Sequence, residues 1–206
     1  DKTGTLTEDN VILEKYMDIE GNESKRVLKH AFLNSYFQTG LKNLIDVAII
    51  SRAEKESMNV FKEMYIREDE IPFDFSRRRM SVVLKDQNGK RQLITKGAFD
   101  EIMAICSYID INGEAVKFTE EFRKKVYMLY EKNNKEGLRI VAVAQKNHIH
   151  EVEVFNTSDE SDMVLIGLVG FLDPPKESAR EAITALNKHG VDTVVLTGDS
   201  EGVAVN

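Results

Sequence analysis

Apolar residues recur at helical spacing over residues 25–38, where Val27, Leu28, Ala31, Phe32 and Phe37 fall close to one face, and Gly40 follows where a helix should stop. A second helix is predicted from about residue 44 to 57, with Ile45, Ala48, Ile49, Arg52 and Ala53 on one face and its rim. Two helices therefore precede the first clear sheet region. Over residues 71–84 the pattern turns β-like, ending in Met80-Ser81-Val82-Val83-Leu84. Asn88-Gly89 then supplies a tight hairpin turn into a strand over residues 91–95, because both residue types accept the positive φ such turns require. A short helix over 99–106 leads to a second turn at Asn112-Gly113, and a helix over 119–135 is closed by Gly137. Residues 138–144 and 163–172 are apolar enough to be buried strands, and the polar run 156–162 between them is expected to be a solvated loop.

The last segment changes character. Asp173-Pro174-Pro175 stops the strand, residues 176–189 read as a helix, and 191–196 read as a buried strand ending in Thr197-Gly198-Asp199. Such strand ends are where open parallel α/β sheets place their ligands. The predicted fold class is an α+β domain, an antiparallel sheet flanked by helices over residues 14–166, inserted in a truncated α/β domain represented by residues 1–13 and 167–206.

With 28 basic against 35 acidic residues the net charge is −7, which disfavours a general nucleic-acid binder, although Arg77-Arg78-Arg79 is a concentrated exception. The longest apolar run, 163–172, is broken by Gly167 and Gly170 and falls short of the ~20 residues that span a bilayer, so no direct membrane insertion is expected. Cys106 stands alone, as in a reducing, cytosolic setting. The chain has no initiator Met and no hydrophobic strand before Asp1, so it is expected to be cut from something longer. His30, His148, His150 and His189 show no metal-ligand spacing with Cys106 and are read as structural or surface residues.

Asp1-Lys2-Thr3-Gly4-Thr5-Leu6-Thr7 sets a carboxylate nucleophile beside backbone and hydroxyl donors suited to phosphate oxygens. Its plain alternative is a polar, helix-capping turn. As a complete string it resembles the phosphorylation motif of P-type ATPases, ion pumps of the haloacid-dehalogenase-like superfamily. Lys96-Gly97-Ala98, Asp173-Pro174-Pro175 and Thr197-Gly198-Asp199 resemble further motifs of that family, in its order. The resemblance implies a Rossmann-type phosphorylation domain with a nucleotide-binding domain inserted in it. By that likeness Asp1 accepts the γ-phosphoryl group of ATP, Thr3 helps hold Mg²⁺ with Asp1, and Thr5, Thr197, Gly198 and Asp199 complete the catalytic site.

The same likeness implies adenine stacking on Phe75, a phosphate or ribose contact from Arg77, and a phosphate contact from Arg139. It also implies a nucleotide site at Lys96 and Gly97 and an acceptor for the adenine amino group at Asp46. The bland alternatives are a core phenylalanine, solvated cations at strand ends and an exposed helix carboxylate. Of three consecutive arginines in a strand, one must point away from the other two. Gly97 is expected to admit a ligand close to the backbone.

The block 71–83 and Asp173-Pro174-Pro175-Lys176-Glu177-Ser178-Ala179 look most like bacterial magnesium-transporting pumps, with calcium or other cation pumps as the alternative. Phe99 and Asp100 stand where many family members carry Pro and Glu. The family's later Lys and Gly-Asp-Gly-Val-Asn-Asp segment are not within these 206 residues, so the chain alone is expected to bind nucleotide with negligible turnover. The implied partners are ATP and the remaining phosphorylation, actuator and transmembrane domains, at the cytosolic face of the plasma membrane. Two other classes stay open: a soluble haloacid-dehalogenase-like phosphatase, and a non-catalytic module whose arginines recruit an anionic partner.

Overall fold

A computed structural model describes residues 6–8, 10–147, 149, 154–192 and 194. Eight strands form one sheet, β1 (Ile12–Met17), β2 (Tyr65–Asp74), β3 (Arg79–Asp86), β4 (Arg91–Ala98), β5 (Cys106–Ile111), β6 (Glu114–Lys117), β7 (Arg139–Asn147) and β8 (Met163–Leu172). The helices are α1 (Lys25–Phe37), α2 (Leu44–Lys55), α3 (Phe61–Met64), α4 (Phe99–Ile105), α5 (Glu120–Lys135) and α6 (Glu177–Lys188). The sheet order is β2-β3-β4-β7-β8-β5-β6, with β1 also on β8. All pairs are antiparallel except β5 with β8. The expected α+β domain with an antiparallel sheet flanked by helices is therefore what this sequence forms.

Period-two alternation divides the apolar residues between two faces. Val82, Leu84, Ile94, Val141 and Val143 pack with Val27, Leu28, Phe32 and Ile49 of α1 and α2. Their neighbours Val83, Leu93, Ile140, Ala142 and Ala144 pack with Phe99, Ile102 and Val126 of α4 and α5. Both faces are thus covered, which is why β3, β7 and β8 carry runs of consecutive apolar residues. α1 starts at Ser24, whose hydroxyl accepts from Val27 N at 3.4 Å, and α2 starts in a reciprocal capping box between Asn43 and Asp46.

Three expectations need correction. The stretch 71–84 is two strands rather than one, because Asp74 breaks it: Oδ1 accepts from Ser76 N and Arg77 N, both at 2.9 Å, and the Asp74 carbonyl accepts from Arg78 N at 2.7 Å. β1 precedes the two helices; its residues pair with 168–172 of β8. β1 and β8, within which positions 13/14 and 166/167 lie, are both hydrogen-bonded into the one sheet. The loop 156–162 is not solvated throughout, since Glu160 is buried.

Beyond β8, residues 174–176 run beside residues 6–8. Glu8 N donates to Pro174 O and Lys176 N to Leu6 O, each at 2.8 Å. The strand expected over 191–196 and the motif Thr197-Gly198-Asp199 lie largely or wholly outside the described residues, as do Asp1, Thr3 and Thr5. Among the described residues no helix is long and apolar enough to cross a membrane.

Candidate functional site

A cleft of about 710 Å³ opens at one end of the sheet. Gln38, Asn43 and Ile45 from the α1–α2 region form one wall, and Pro72, Phe73 and Phe75 from the end of β2 form another. Lys96, Gly97 and Ala98 of β4 lie between Met80 of β3 and Arg139, Ile140 and Val141 of β7. Thr39 N donates to Glu70 Oε2 at 2.9 Å, and the Thr39 hydroxyl reaches the other carboxylate oxygen, so the loop after α1 is tied across to β2.

Phe75 is 89% exposed, touching Phe73 edge to face with ring centroids 5.3 Å apart. A phenylalanine that packs against nothing larger than another half-exposed ring is not a core residue. The Asp74 turn holds it outward, leaving a flat apolar face at the cleft.

Lys96 is the opposite case. It does not close its strand, which continues through Ala98, and it is only 6% exposed. Its Nζ donates to Ser35 Oγ at 2.6 Å and contacts Asp46 Oδ1 more closely still. Asp46 is 1% exposed, which excludes the solvated helix carboxylate. Its other oxygen accepts from Asn43 N at 3.2 Å, so the helix cap and the ion pair share one carboxylate. Burial pushes the Asp46 carboxyl up, but the adjacent ammonium and the hydrogen bonds reverse this and hold it below the usual range. Burial likewise pushes the Lys96 ammonium down, against the pull of Asp46. The carboxylate's direction is the firmer of the two, because an ionised Asp46 needs the Lys96 charge beside it. Asp46 itself does not line the cleft; it sits behind Lys96.

Arg77 and Arg78 lie in the turn between β2 and β3 and only Arg79 is in a strand, so turn geometry rather than strand alternation sets their directions. Arg77 Nη1 and Arg79 Nε both meet Glu160 Oε2, at 2.6 and 2.8 Å, while Ser81 Oγ donates to Oε1 at 2.7 Å. Arg78, with φ of 44°, lines the cleft and pairs with Glu101 at 2.7 Å, a carboxylate that Arg79 Nη1 also approaches at 3.7 Å. Arg77 is not among the lining residues; the arginine that the sequence placed at a ligand is engaged by a buried carboxylate instead. Arg139 does line the cleft.

Gly97 also lines it, but the need for glycine comes from the sheet. A Cβ there would lie 2.4 Å from Arg79 Cβ and 2.7 Å from Arg78 O, so the absent side chain admits the close approach of β3. Sequence reasoning missed Gln38, Glu70, Met80 and Glu160. For Gln38 and Glu160 no local pattern marks the role, since their partners lie in distant strands and loops.

The site thus joins an exposed aromatic face to a buried lysine and two arginines in one concave, largely apolar cleft, the composition of a site for a flat, anionic ligand. Residues 10–178 match the family model for P-type ATPase, cytoplasmic domain N. The chain is 46% identical over 204 residues to magnesium-transporting ATPase, P-type 1, of Escherichia coli (strain K12), covering 99% of this chain and 23% of that protein. It is 44% identical over 204 residues to a protein of that name in Salmonella typhimurium (strain LT2), with the same coverage of 99% and 23%. Calcium-transporting ATPase lmo0841 of Listeria monocytogenes is 34% identical over 224 residues, covering 99% of this chain and 25% of that protein. The chain spans about a quarter of the length of these relatives. An aromatic and a buried lysine meeting at one cleft, the motif order and a match over most of the sequence agree: the chain belongs to the P-type ATPase cytoplasmic domain N family.

Proposed function

We propose that this chain is the ATP-binding unit of a magnesium-transporting P-type pump. The observation that carries the reading is the exposed Phe75 ring standing over a cleft that contains the buried Lys96 ammonium. The adenine ring stacks on Phe75, exchanging two hydrated apolar faces for one contact, while Arg78 and Arg139 offer guanidinium donors to the triphosphate. Asp46 acts through Lys96, holding its charge in place, rather than as an acceptor for the base. Arg77 supports the loop that carries Phe75 and Arg78.

In the complete pump an Asp1 carboxylate oxygen attacks the γ-phosphorus, the bond from that phosphorus to the β–γ bridging oxygen breaks, and ADP leaves. Thr5, Thr197, Gly198 and Asp199 surround the transferred group. Asp1 and Thr3 would hold Mg²⁺, which would supply positive charge to offset that of the phosphoryl group. The side-by-side course of residues 6–8 and 174–176 supports an insertion of the nucleotide domain into a haloacid-dehalogenase-like phosphorylation domain. Turnover of the aspartyl phosphate is then coupled to ion transport at the cytosolic face of the plasma membrane, through the actuator and transmembrane domains. Magnesium is favoured over calcium because the relatives named for magnesium are 46% and 44% identical, against 34% for the one named for calcium. An anion-recruiting arginine module is disfavoured, because Glu160 occupies two of the three arginines.

Calorimetric titration with ATP, GTP and plain triphosphate, repeated on Phe75→Ala, tests the reading. Adenine-selective binding that the substitution abolishes is the expected result. Equal binding of plain triphosphate, or none of any ligand, would overturn it.

A further inference from the structure

Leu41 and Phe75 are the two most exposed large apolar residues among the described residues, at 100% and 89%, and both line the one cleft. A lone exposed leucine is ordinary on a protein surface, and what sets this one apart is how its loop is held. Leu41 lies between α1 and α2, and the chain is tied down on both sides of it. Before it, Thr39 N donates to Glu70 Oε2 at 2.9 Å and the Thr39 hydroxyl donates to Oε1 of the same carboxylate. After it, Lys42 Nζ donates to Tyr36 O at 3.1 Å, and Asn43 N donates to Asp46 Oδ2 at 3.2 Å. Glu70 belongs to β2, whose far end leads into Phe75, so the Thr39–Glu70 clasp joins the two walls of the cleft. The bonds on either side of Leu41 therefore fix an apolar side chain in water at the cleft, where the fold itself gains no burial from it.

We propose that Leu41 is a base-binding residue, covering the purine ring of the bound nucleotide from the α1–α2 wall while Phe75 stacks on it from the β2 wall. This rests on the nucleotide reading above and adds a second apolar contact to it. A ring stacked on Phe75 alone keeps its other face in water. Leu41 covers part of that face, and each apolar area removed from water adds to the affinity. A triphosphate without a base offers Leu41 nothing to cover, so its contribution selects base-bearing ligands over simple anions. Thr39 is a positioning residue in this account, acting through the loop that carries Leu41.

The test is titration calorimetry of the chain and of Leu41→Ser with ATP and with ribose triphosphate lacking a base. Leu41→Ser should bind ATP about threefold to tenfold more weakly, the scale of partly burying one leucine side chain. Its heat-capacity change on binding ATP should be less negative, because less apolar surface leaves water. It should bind ribose triphosphate as the unsubstituted chain does and melt at the same temperature, since a fully exposed side chain contributes no burial to the fold. Leu41→Met, which keeps an apolar side chain of similar size, should restore ATP binding. Thr39→Val removes the hydroxyl from the clasp; it should weaken ATP binding in the unsubstituted chain and cost nothing more in Leu41→Ser, and additive losses overturn the positioning role. Unchanged ATP binding by Leu41→Ser, or an equal loss for ATP and ribose triphosphate, overturns the role of Leu41 while leaving the nucleotide reading intact. Absence of ATP binding by the unsubstituted chain overturns that reading as well, and is seen before any variant is made.

Discussion

The Glu160 carboxylate decides the direction of Arg77, holding its Nη1 at 2.6 Å from within a fully enclosed site. Arg79 shares the same oxygen and Ser81 occupies the other, so the loop between β7 and β8 is anchored to the start of β3 by charge-assisted bonds. Removing the carboxylate strands two partly desolvated guanidiniums. Glu160→Ala is expected to lower the unfolding free energy by about 2–4 kcal/mol, measured by urea denaturation at neutral pH. A loss too small to resolve would show that the anchor is hydrated rather than buried.

Arg77 and Arg78 should then separate stability from binding. Arg77→Ala removes a partner of Glu160 and should lower the urea midpoint, with a modest effect on ATP. Arg78→Ala should leave the midpoint unchanged and weaken ATP about tenfold, the scale of one charge-assisted hydrogen bond. The reverse pattern would return Arg77 to the phosphates.

Lys96 and Asp46 form the second buried pair, and breaking it from either side leaves an uncompensated charge. Lys96→Met is expected to cost about 3–5 kcal/mol of stability. Asp46→Asn retains the shape of the helix cap while removing the charge, and adding it to Lys96→Met should recover much of the loss. A double-mutant cycle on urea midpoints giving a coupling below about 0.5 kcal/mol would contradict the pairing.

Most of the framework was legible because it rests on local signals: Gly40 and Gly137 after their helices, Asn88-Gly89 and Asn112-Gly113 between strands, and runs of consecutive apolar residues in β3, β7 and β8. The turn at residues 75–78 was not, since Asp74 makes it with its side chain and no Gly or Pro marks the place. Glu160 reads as a solvated residue in a polar run; only contact with Arg77, Arg79 and Ser81, about eighty positions earlier, makes its burial tolerable. Lys96 and Asp46 were singled out by resemblance, yet their pairing across fifty positions is a property of the fold.

Gly97 links sheet packing to the cleft. Gly97→Ala sets a Cβ 2.4 Å from Arg79 Cβ and 2.8 Å from Arg79 Cα, so β3 must shift, carrying the loop with Phe75 and Arg78. A stability loss of about 1–3 kcal/mol is expected, as for overpacking, with weakened ATP binding. Wild-type thermal melting and calorimetry in this variant would exclude the close approach as a constraint.

His30 gives the fold a pH dependence that lies apart from the nucleotide site. Its Nδ1 is 2.7 Å from Arg26 O, which only accepts, so that nitrogen carries the proton. Nε2 meets Gln145 Oε1, and a neutral ring with its proton on Nδ1 requires the oxygen and nitrogen of that amide to be exchanged, so that the NH₂ group donates to Nε2. Burial, with help from the charges of Arg26 and Lys29, lowers the pKa from 6.5 to about 4. The unfolded chain therefore takes up a proton near pH 6.5 and the folded chain only near 4. This contribution to stability is fully present above the higher value, falls as the pH drops through the interval, and amounts to about 3 kcal/mol across it. His30→Gln removes the titrating ring. Urea denaturation at pH values across the interval should show the unsubstituted protein losing stability relative to the variant as the solution becomes more acidic, and parallel profiles would contradict a buried neutral histidine.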